Sequence, residues 1–323
     1  MPTAFVTGGS GFIGGRLIER LVKDGRTVRA LARSDRAVTR VAELGAEPVR
    51  GDLSDVDSLT AGARGAEVAY HSAAWTGPGG SWADFEKSNV DGTRNVLDAC
   101  RTAGVRRLVH VGTEAALMAG EPLVNVDETA PLRPDSRAPY PATKAAAEQL
   151  VRSAEGLETV VVRPRFVWGR GDTNILPTLV TAVRSGQFAW LGGGRNLTAT
   201  THVDNTVEGL VLAAERGRPG EAYFVTDGDP VVFRDFLTEL LATQGVTAPG
   251  RSIPLGVAKA LVEVLEGGWK VLRRPGLPPL NRFLLWASGQ ECTINIGKAR
   301  DELGYAPVIS RDEGFTQLRT QGE

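Results

Sequence analysis

Thr7-Gly8-Gly9-Ser10-Gly11-Phe12-Ile13-Gly14 is the stretch that decides the fold. It follows at once on the run Thr3–Thr7, which has the make-up of a strand, and opens into Phe12–Lys23, where apolar residues recur at helical spacing. Gly8 allows a tight strand-to-helix turn, Gly11 lets a pyrophosphate approach backbone N–H groups with no Cβ in the way, and Gly14 permits close packing of helix on sheet. A glycine pattern alone marks no more than a turn. With a strand before it and a helix after it, the pattern specifies a dinucleotide-binding loop in which Phe12 and Ile13 also take part.

Moving outward, short β-branched runs alternate with longer amphipathic ones, the pattern of βαβ units and a parallel sheet. Strands are predicted at Thr3–Thr7, Thr27–Ala32, Pro48–Arg50, Glu67–His71, Leu108–Val111 and Thr159–Val162. Helices are predicted at Phe12–Lys23, Ala37–Leu44, Val56–Ala61, Phe85–Thr102 and Tyr140–Ser153, with Gly25, Gly45, Gly62, Gly104 and Gly156 as left-handed stops. The fold class is α/β: a doubly wound parallel sheet, the Rossmann arrangement, over residues 1–165, with a smaller, mainly helical substrate-binding cap over 166–323. A helix at Val203–Ala214 and a strand at Ala222–Thr226 suggest that the chain rejoins the sheet within 203–226. The 253–290 region combines an amphipathic helix with an apolar, proline-broken segment; it is expected to pack as a cap helix, the alternative being a lid or a lipid-touching surface.

The 323 residues include 37 Lys and Arg against 38 Asp and Glu, so no basic field is available to bind nucleic acid. Two cysteines in unrelated contexts and three scattered histidines have no metal-ligand spacing, and no metal site is expected. The N-terminus runs straight into the glycine motif without a secretory leader pattern, which points to a cytoplasmic location. No apolar run is long enough to span a membrane, leaving only interfacial contact open.

At the tip of the second predicted strand stand Arg33 and Ser34, where an NAD-preferring fold presents a carboxylate to the ribose 2′-hydroxyl. With Arg36 nearby they would hold a 2′-phosphate, so the expected cofactor is NADP, with NAD the alternative; Asp35 lies one step beyond the tip. A solvated surface charge is the plain reading of Arg33. Asp52, beside Leu53 after the third strand, is placed to accept from an adenine amino group or to cap a helix. Ala73 and Ala74 supply small residues over which the dinucleotide would lie.

Tyr140 and Lys144 are four residues apart in Y-P-A-T-K and project from one helical face. An ammonium beside a phenol favours the phenolate, which would make Tyr140 a usable acid/base, and Lys144 could also bond the nicotinamide ribose. Such a pair is usually mere surface; its position downstream of a dinucleotide loop argues for chemistry.

These motifs, together with G-D-L, H-S-A-A, Ser88–Val96, Arg163–Gly169, Thr201–Asn205 and Lys298–Tyr305, make the whole chain resemble the extended short-chain dehydrogenase/reductase family. Its 3β-hydroxysteroid dehydrogenase-like branch, including reductases of lipid ketones, is the nearest in look, on Ala138–Ala145, Arg163–Asp172, Glu221–Pro230 and Pro278–Phe283. The resemblance implies that Thr113 polarises the substrate oxygen, in a V-G-T-E segment where the family has T-S-S. It implies that Asn89 supports the active-site helix and a water link to Lys144. It also implies that Pro164 and Val167 touch the cofactor, and that Trp75, Glu114 and Trp168 flank the substrate with Thr113. Trp82 and Phe85 read equally as substrate wall or as core. Nucleotide-sugar epimerases share the fold but usually carry an arginine where this chain has Thr198. The function so implied is an NADP-dependent oxidoreductase of a hydrophobic ketone or alcohol. The alternatives are an epimerase or dehydratase with tightly bound NAD, and a non-catalytic NADP sensor. A homodimer through the helices Phe85–Thr102 and Tyr140–Ser153 is also implied.

Overall fold

The computed structural model describes residues 3–77, 80–272, 274 and 276–320. Seven parallel strands form the main sheet: β1 (Thr3–Thr7), β2 (Thr27–Ala32), β3 (Glu47–Arg50), β4 (Val68–His71), β5 (Arg107–Val111), β6 (Glu158–Pro164) and β7 (Ala222–Val225), in spatial order β7-β6-β5-β4-β1-β2-β3. The order reverses between β1 and β4, which creates a crevice at the carboxyl ends of these strands. β4, β5 and nearly all of β1 and β6 are buried along their length. That burial on both faces explains why they read as continuous apolar runs rather than alternating ones.

Helices α1 (Phe12–Lys23), α2 (Asp35–Glu43), α3 (Val56–Ala63), α4 (Gly92–Ala103), α5 (Pro139–Arg152) and α6 (Val203–Arg216) cover this sheet. The expected return of the chain takes place at β7, which pairs with β6 in the register Ala222↔Val161. α2 starts two residues earlier than expected because the Ser34 hydroxyl accepts from the Ala37 amide as N-cap.

Two expectations are corrected. Gly62 is no helix stop: it lies inside α3, where a Cβ would come within 2.6 Å of the Phe5 ring, and Gly65 takes the left-handed turn instead. The predicted single helix Phe85–Thr102 begins earlier, at Trp82, behind a Ser81–Asp84 capping box, and passes through a π-helical stretch at Glu86–Asp91 before α4. The solvent side of α4 carries Arg94 and Arg101 in ion pairs with Asp91 and Asp98, whereas α5 is mostly buried.

The remaining helices are α7 (Ile175–Arg184), α8 (Phe233–Ala242), α9 (Leu255–Val271), α10 (Arg282–Gly289) and α11 (Arg311–Arg319). They pack with short strands, four of which form a mixed sheet of Leu123–Val126, Cys292–Ile294, Leu197–Thr198 and Val231–Val232. Trp168, Trp190, Phe233, Phe236 and Phe315 make a separate aromatic core here. α9 packs one face on α10, burying Ala258 and Val262, and leaves Val257 and Val264 exposed. Among the described residues no helix is long and apolar enough to cross a membrane.

Candidate active site

The glycine turn is built as a cradle. Gly8 sits at φ +74°, and a Cβ there would lie 2.6 Å from the Ala73 nitrogen. A Cβ on Gly14 would lie 2.2 Å from the Gly8 carbonyl oxygen. The N-cap of α1, Gly11, has no side-chain cap, and the first turn has no acidic residue, so the amides of Phe12, Ile13 and Gly14 are left as donors for an anion. The cradle therefore fits a dinucleotide pyrophosphate.

At the tip of β2, Arg33 and Arg36 are exposed. Asp35, the carboxylate in this neighbourhood, is held by Arg50 at 2.5 Å. Asp52 is not a helix cap: its Oδ1 accepts from the Ser54 amide at 2.7 Å and the Ser54 hydroxyl at 2.6 Å, while Asp55 caps α3. Those bonds keep the Asp52 carboxyl below its usual range, with Arg33 adding a smaller effect in the same direction. Leu53 packs against Gly92, and Ala73 and Ala74 are half-buried beside Gly8. Pro164 ends β6, and Val167 lies opposite Thr201 just beyond it.

Tyr140 and Lys144 both rise from the first half of α5 but meet different surroundings. The Tyr140 ring is walled by Phe85, 6.5 Å away edge-on, and by Phe283 of α10 at 5.1 Å. The Lys144 ammonium is buried and donates to the Val111 carbonyl at 2.7 Å and to His110 Nε2 at 3.2 Å. Burial pulls Lys144 down to about 8 from its ordinary 10.5, with Glu148 opposing. Burial and the Glu114 carboxylate push the Tyr140 phenol up, and the hydrogen-bonding influence of Thr113 offsets this only in part.

His110 is a polar residue of the site that motif reading missed. It stacks at 5.1 Å from His71, whose ring is bracketed by Thr7 and Thr93 at 2.7 and 3.0 Å. Burial keeps both imidazoles neutral and takes His71 to about 3. Their signal was a pair of histidines at the ends of adjacent strands, where aliphatic residues are usual for a buried parallel sheet.

Thr113 follows β5, and its hydroxyl donates to Glu114 Oε2 at 2.8 Å while accepting from the Ala115 amide at 3.2 Å. Glu114 Oε1 takes a bond of 2.7 Å from Arg165, which also donates to the Ala287 carbonyl in α10 at 2.6 Å. The Thr113 hydroxyl thus bonds Glu114 and, by its influence on the phenol, also faces Tyr140. Glu114 is 3% exposed and ion-paired, so it lies behind Thr113 and does not flank a substrate.

Asn89 is buried in the π-helical stretch and acts on backbone. Its Oδ1 accepts from the Trp75 amide at 2.7 Å, and its Nδ2 donates to the Trp75 carbonyl at 3.2 Å and to Thr143 Oγ1 at 3.1 Å. It ties the loop after β4 to α5, and its bonds run to these groups rather than to Lys144. Trp75 itself is 37% exposed beside the site. Trp168 is corrected: it is wholly buried, its indole N–H donates to Asp227 at 2.8 Å, and Phe315 stacks on it at 4.7 Å. It is core of the cap and has no open face for a substrate.

A Rossmann sheet, a glycine cradle and a tyrosine one helical turn from a buried lysine define a dinucleotide-dependent oxidoreductase of the extended short-chain type. Sequence comparison agrees. A profile described as the 3-beta hydroxysteroid dehydrogenase/isomerase family matches residues 5–255, and this chain belongs to that family. It is 48% identical over 320 residues to the 4-hydroxy-2-methyl-3-oxo-4-farnesyl-3,4-dihydroquinoline-1-oxide ketoreductase of Stigmatella aurantiaca, covering 98% of this chain and 96% of that one. It is 37% identical over 327 residues to the 2-alkyl-3-oxoalkanoate reductase of Stenotrophomonas maltophilia, covering 97% of each. Among solved structures, that of gox2253 matches with a TM-score of 0.80 at 29% identity, covering 100% of this chain and 99% of that one. A double mutant of the dTDP-glucose 4,6-dehydratase DesIV from Streptomyces venezuelae, solved with NAD, matches at 0.76 and 24% identity over 98% and 95%, a likeness of fold alone.

Proposed function

We propose that this enzyme uses NADP to interconvert a ketone and a secondary alcohol on a hydrophobic substrate, steroid-like or long-chain β-keto. The observation that carries the reading is the Tyr140 phenol: a protonated acid among Phe85, Phe283 and the Thr113–Glu114 turn, at the end of the sheet where the glycine cradle opens. A nicotinamide bound there supplies or accepts the hydride. Gly8, Gly11 and Gly14 leave room for the pyrophosphate and the first amides of α1 hold it. Arg33, Ser34 and Arg36, with Asp35 drawn off by Arg50, favour a 2′-phosphate over a bare ribose. Tyr140 gives its proton to the carbonyl oxygen, and Lys144 fixes the end of β5 and can turn a donor toward the nicotinamide ribose. The names of the two similar reductases, one for a farnesyl quinoline and one for alkyl oxoalkanoates, support an apolar substrate.

A panel of steroids, β-keto acids and UDP-sugars, each assayed at 340 nm with NADPH and with NADP, tests this. Net cofactor turnover with an apolar ketone is expected. A stereochemically altered sugar with no net turnover would favour the epimerase reading instead, and better use of NAD would overturn the cofactor assignment.

A further inference from the structure

α9 (Leu255–Val271) uses one face inside the protein. Ala258 and Val262 are buried on the side that meets α10, and Glu266 accepts from the Arg282 amide at 2.8 Å and from Arg282 Nε at 2.6 Å. The face turned away carries Val257, Leu261, Val264 and Val271 at helical spacing, with only small uncharged residues, Ala260 and Gly267, between them. Val264 and Val271 are 71% and 82% exposed, so the stripe faces solvent. Six of the thirteen large apolar side chains exposed among the described residues lie within 257–284, which makes a patch rather than the ordinary scatter.

The charge around this stripe is one-sided. Residues 251–282 include six Lys and Arg against two Glu, a surplus of four positive charges in a chain whose net charge is −1. Both glutamates are occupied, Glu266 by Arg282, and Glu263 by Arg282 and Arg137 at 3.6 and 3.9 Å. Lys259 and Lys270 are exposed beside the stripe, and Arg274 lies just beyond the helix with its guanidinium 5.2 Å from the Trp269 ring. A lysine stem can lie along apolar surface and keep its ammonium at the edge. An apolar stripe bordered by cations suits the interface of an anionic bilayer, where acyl chains take up the one and headgroup phosphates the other. A second copy of this chain fits worse, because a two-fold contact would set the positive segment against itself.

We propose that α9 docks the enzyme on the surface of an anionic phospholipid bilayer, with Val257, Leu261, Val264 and Val271 entering the acyl boundary and Lys259 and Lys270 meeting headgroup phosphates. The helix lies in the interface and does not span it. What docking does for the reaction rests on the hydrophobic substrate proposed above. α10, packed on α9, holds the Phe283 ring 5.1 Å from that of Tyr140 and gives its Ala287 carbonyl to Arg165 just past β6. One helix thus stands between the lipid-facing stripe and the proton donor. A ketone with a long apolar chain partitions into the bilayer and reaches the site from that side.

Vesicle co-sedimentation tests docking without any substrate. Wild type should bind phosphatidylglycerol vesicles, bind phosphatidylcholine vesicles at least about tenfold more weakly, and leave the anionic ones as salt is raised. The triple variant Leu261→Ser/Val264→Ser/Val271→Ser, changed at exposed positions only, should bind phosphatidylglycerol at least about tenfold more weakly. Lys259→Glu/Lys270→Glu should lose at least as much through charge, and keeps the test open if the serine variant does not fold, which circular dichroism and thermal unfolding check. Wild type left in the supernatant, or folded variants that bind as wild type does, would overturn the proposal. So would a wild-type dimer in analytical ultracentrifugation that the serine variant breaks, since a second copy would then cover the stripe. A protein that binds vesicles but reduces no apolar ketone would sink the proposed activity and leave the docking standing.

Discussion

Arg163 and Arg165 stand on either side of Pro164, each buried and each paired with a glutamate, but the two pairs lie in different kinds of surroundings. Arg163 is still within β6 and meets Glu148 of α5, with its Nε 3.0 Å from both carboxylate oxygens and its guanidinium over the Phe224 ring. Both partners have no exposed side chain, and neither reaches the crevice. Arg165 comes after the strand has ended and meets Glu114 on the turn beside Tyr140, with a further bond to α10. The same ionic chemistry thus braces helix on sheet in one place, and in the other connects the proton-transfer corner to the cap. The difference teaches that a buried pair acquires a bearing on chemistry through the third group near it: the Thr113 hydroxyl for one pair, and for the other Lys144, which Glu148 supports against the effect of burial.

The largest expected effect is at the acid itself. Tyr140→Phe should lower kcat by ~10²–10⁴-fold with cofactor Kd unchanged, measured by turnover and by fluorescence titration with NADPH. Retained activity would remove Tyr140 from its role. The structural pair should behave differently from the one beside the site. Glu148→Gln leaves the Arg163 charge buried without its counter-ion, a loss of ~3–5 kcal/mol in urea unfolding. A loss within about 1 kcal/mol would show that the pair does not brace helix on sheet.

Lys144 supplies a pH signature. The folded chain releases its proton near 8, the unfolded chain near 10.5, so below pH 8 both states carry the charge and the burial penalty is constant. Between those two values the unfolded state binds more protons, and stability rises with pH. Wild type should therefore gain about 3 kcal/mol relative to Lys144→Met between pH 8 and 10.5 in parallel urea titrations. A flat difference would place the ammonium in a more solvated setting than the bonds to Val111 and His110 describe.

Away from the reaction centre, Arg33→Ala should weaken NADP relative to NAD by about 1.5–3 kcal/mol, the usual range for hydrogen bonds to a charged group, read as the ratio of the two Michaelis constants. The smallest effect belongs to Trp168→Phe. It gives up the bond to Asp227, about 1 kcal/mol of stability by thermal unfolding, and should leave kcat/KM as it was. A large kinetic loss would return Trp168 to the substrate wall.

Much of the frame was legible because it depends on neighbours in sequence. β1, β2 and α1 have the bounds expected, since strand make-up, the glycine turn and helical periodicity are all local signals. The start at Trp82 of the helix that leads into α4 was marked by Ser81 and Asp84, a capping box that reading from the apolar run overlooked. The π-helical stretch had no such local mark. Asn89 bonds to Trp75 and Thr143 across the fold, and the helix register that serves those bonds depends on where the partners come to lie. Trp168 shows the converse. An aromatic residue inside a family motif can line a substrate or fill a core, and Asp227, 59 residues on, decided for the core.

The amino-acid sequence by itself determined the dinucleotide turn, the shared helical face of Tyr140 and Lys144, and the missing carboxylate at the tip of β2. Each of these is fixed by spacing along a single element, where backbone geometry leaves little freedom. Tertiary structure alone decided which arginine meets which glutamate, which carboxylate the Thr113 hydroxyl bonds and which groups the Lys144 ammonium meets. Those outcomes rest on hydrogen bonds between groups that sheet and cap bring together from distant parts of the chain, inside a medium too apolar to leave any of them unpaired without cost.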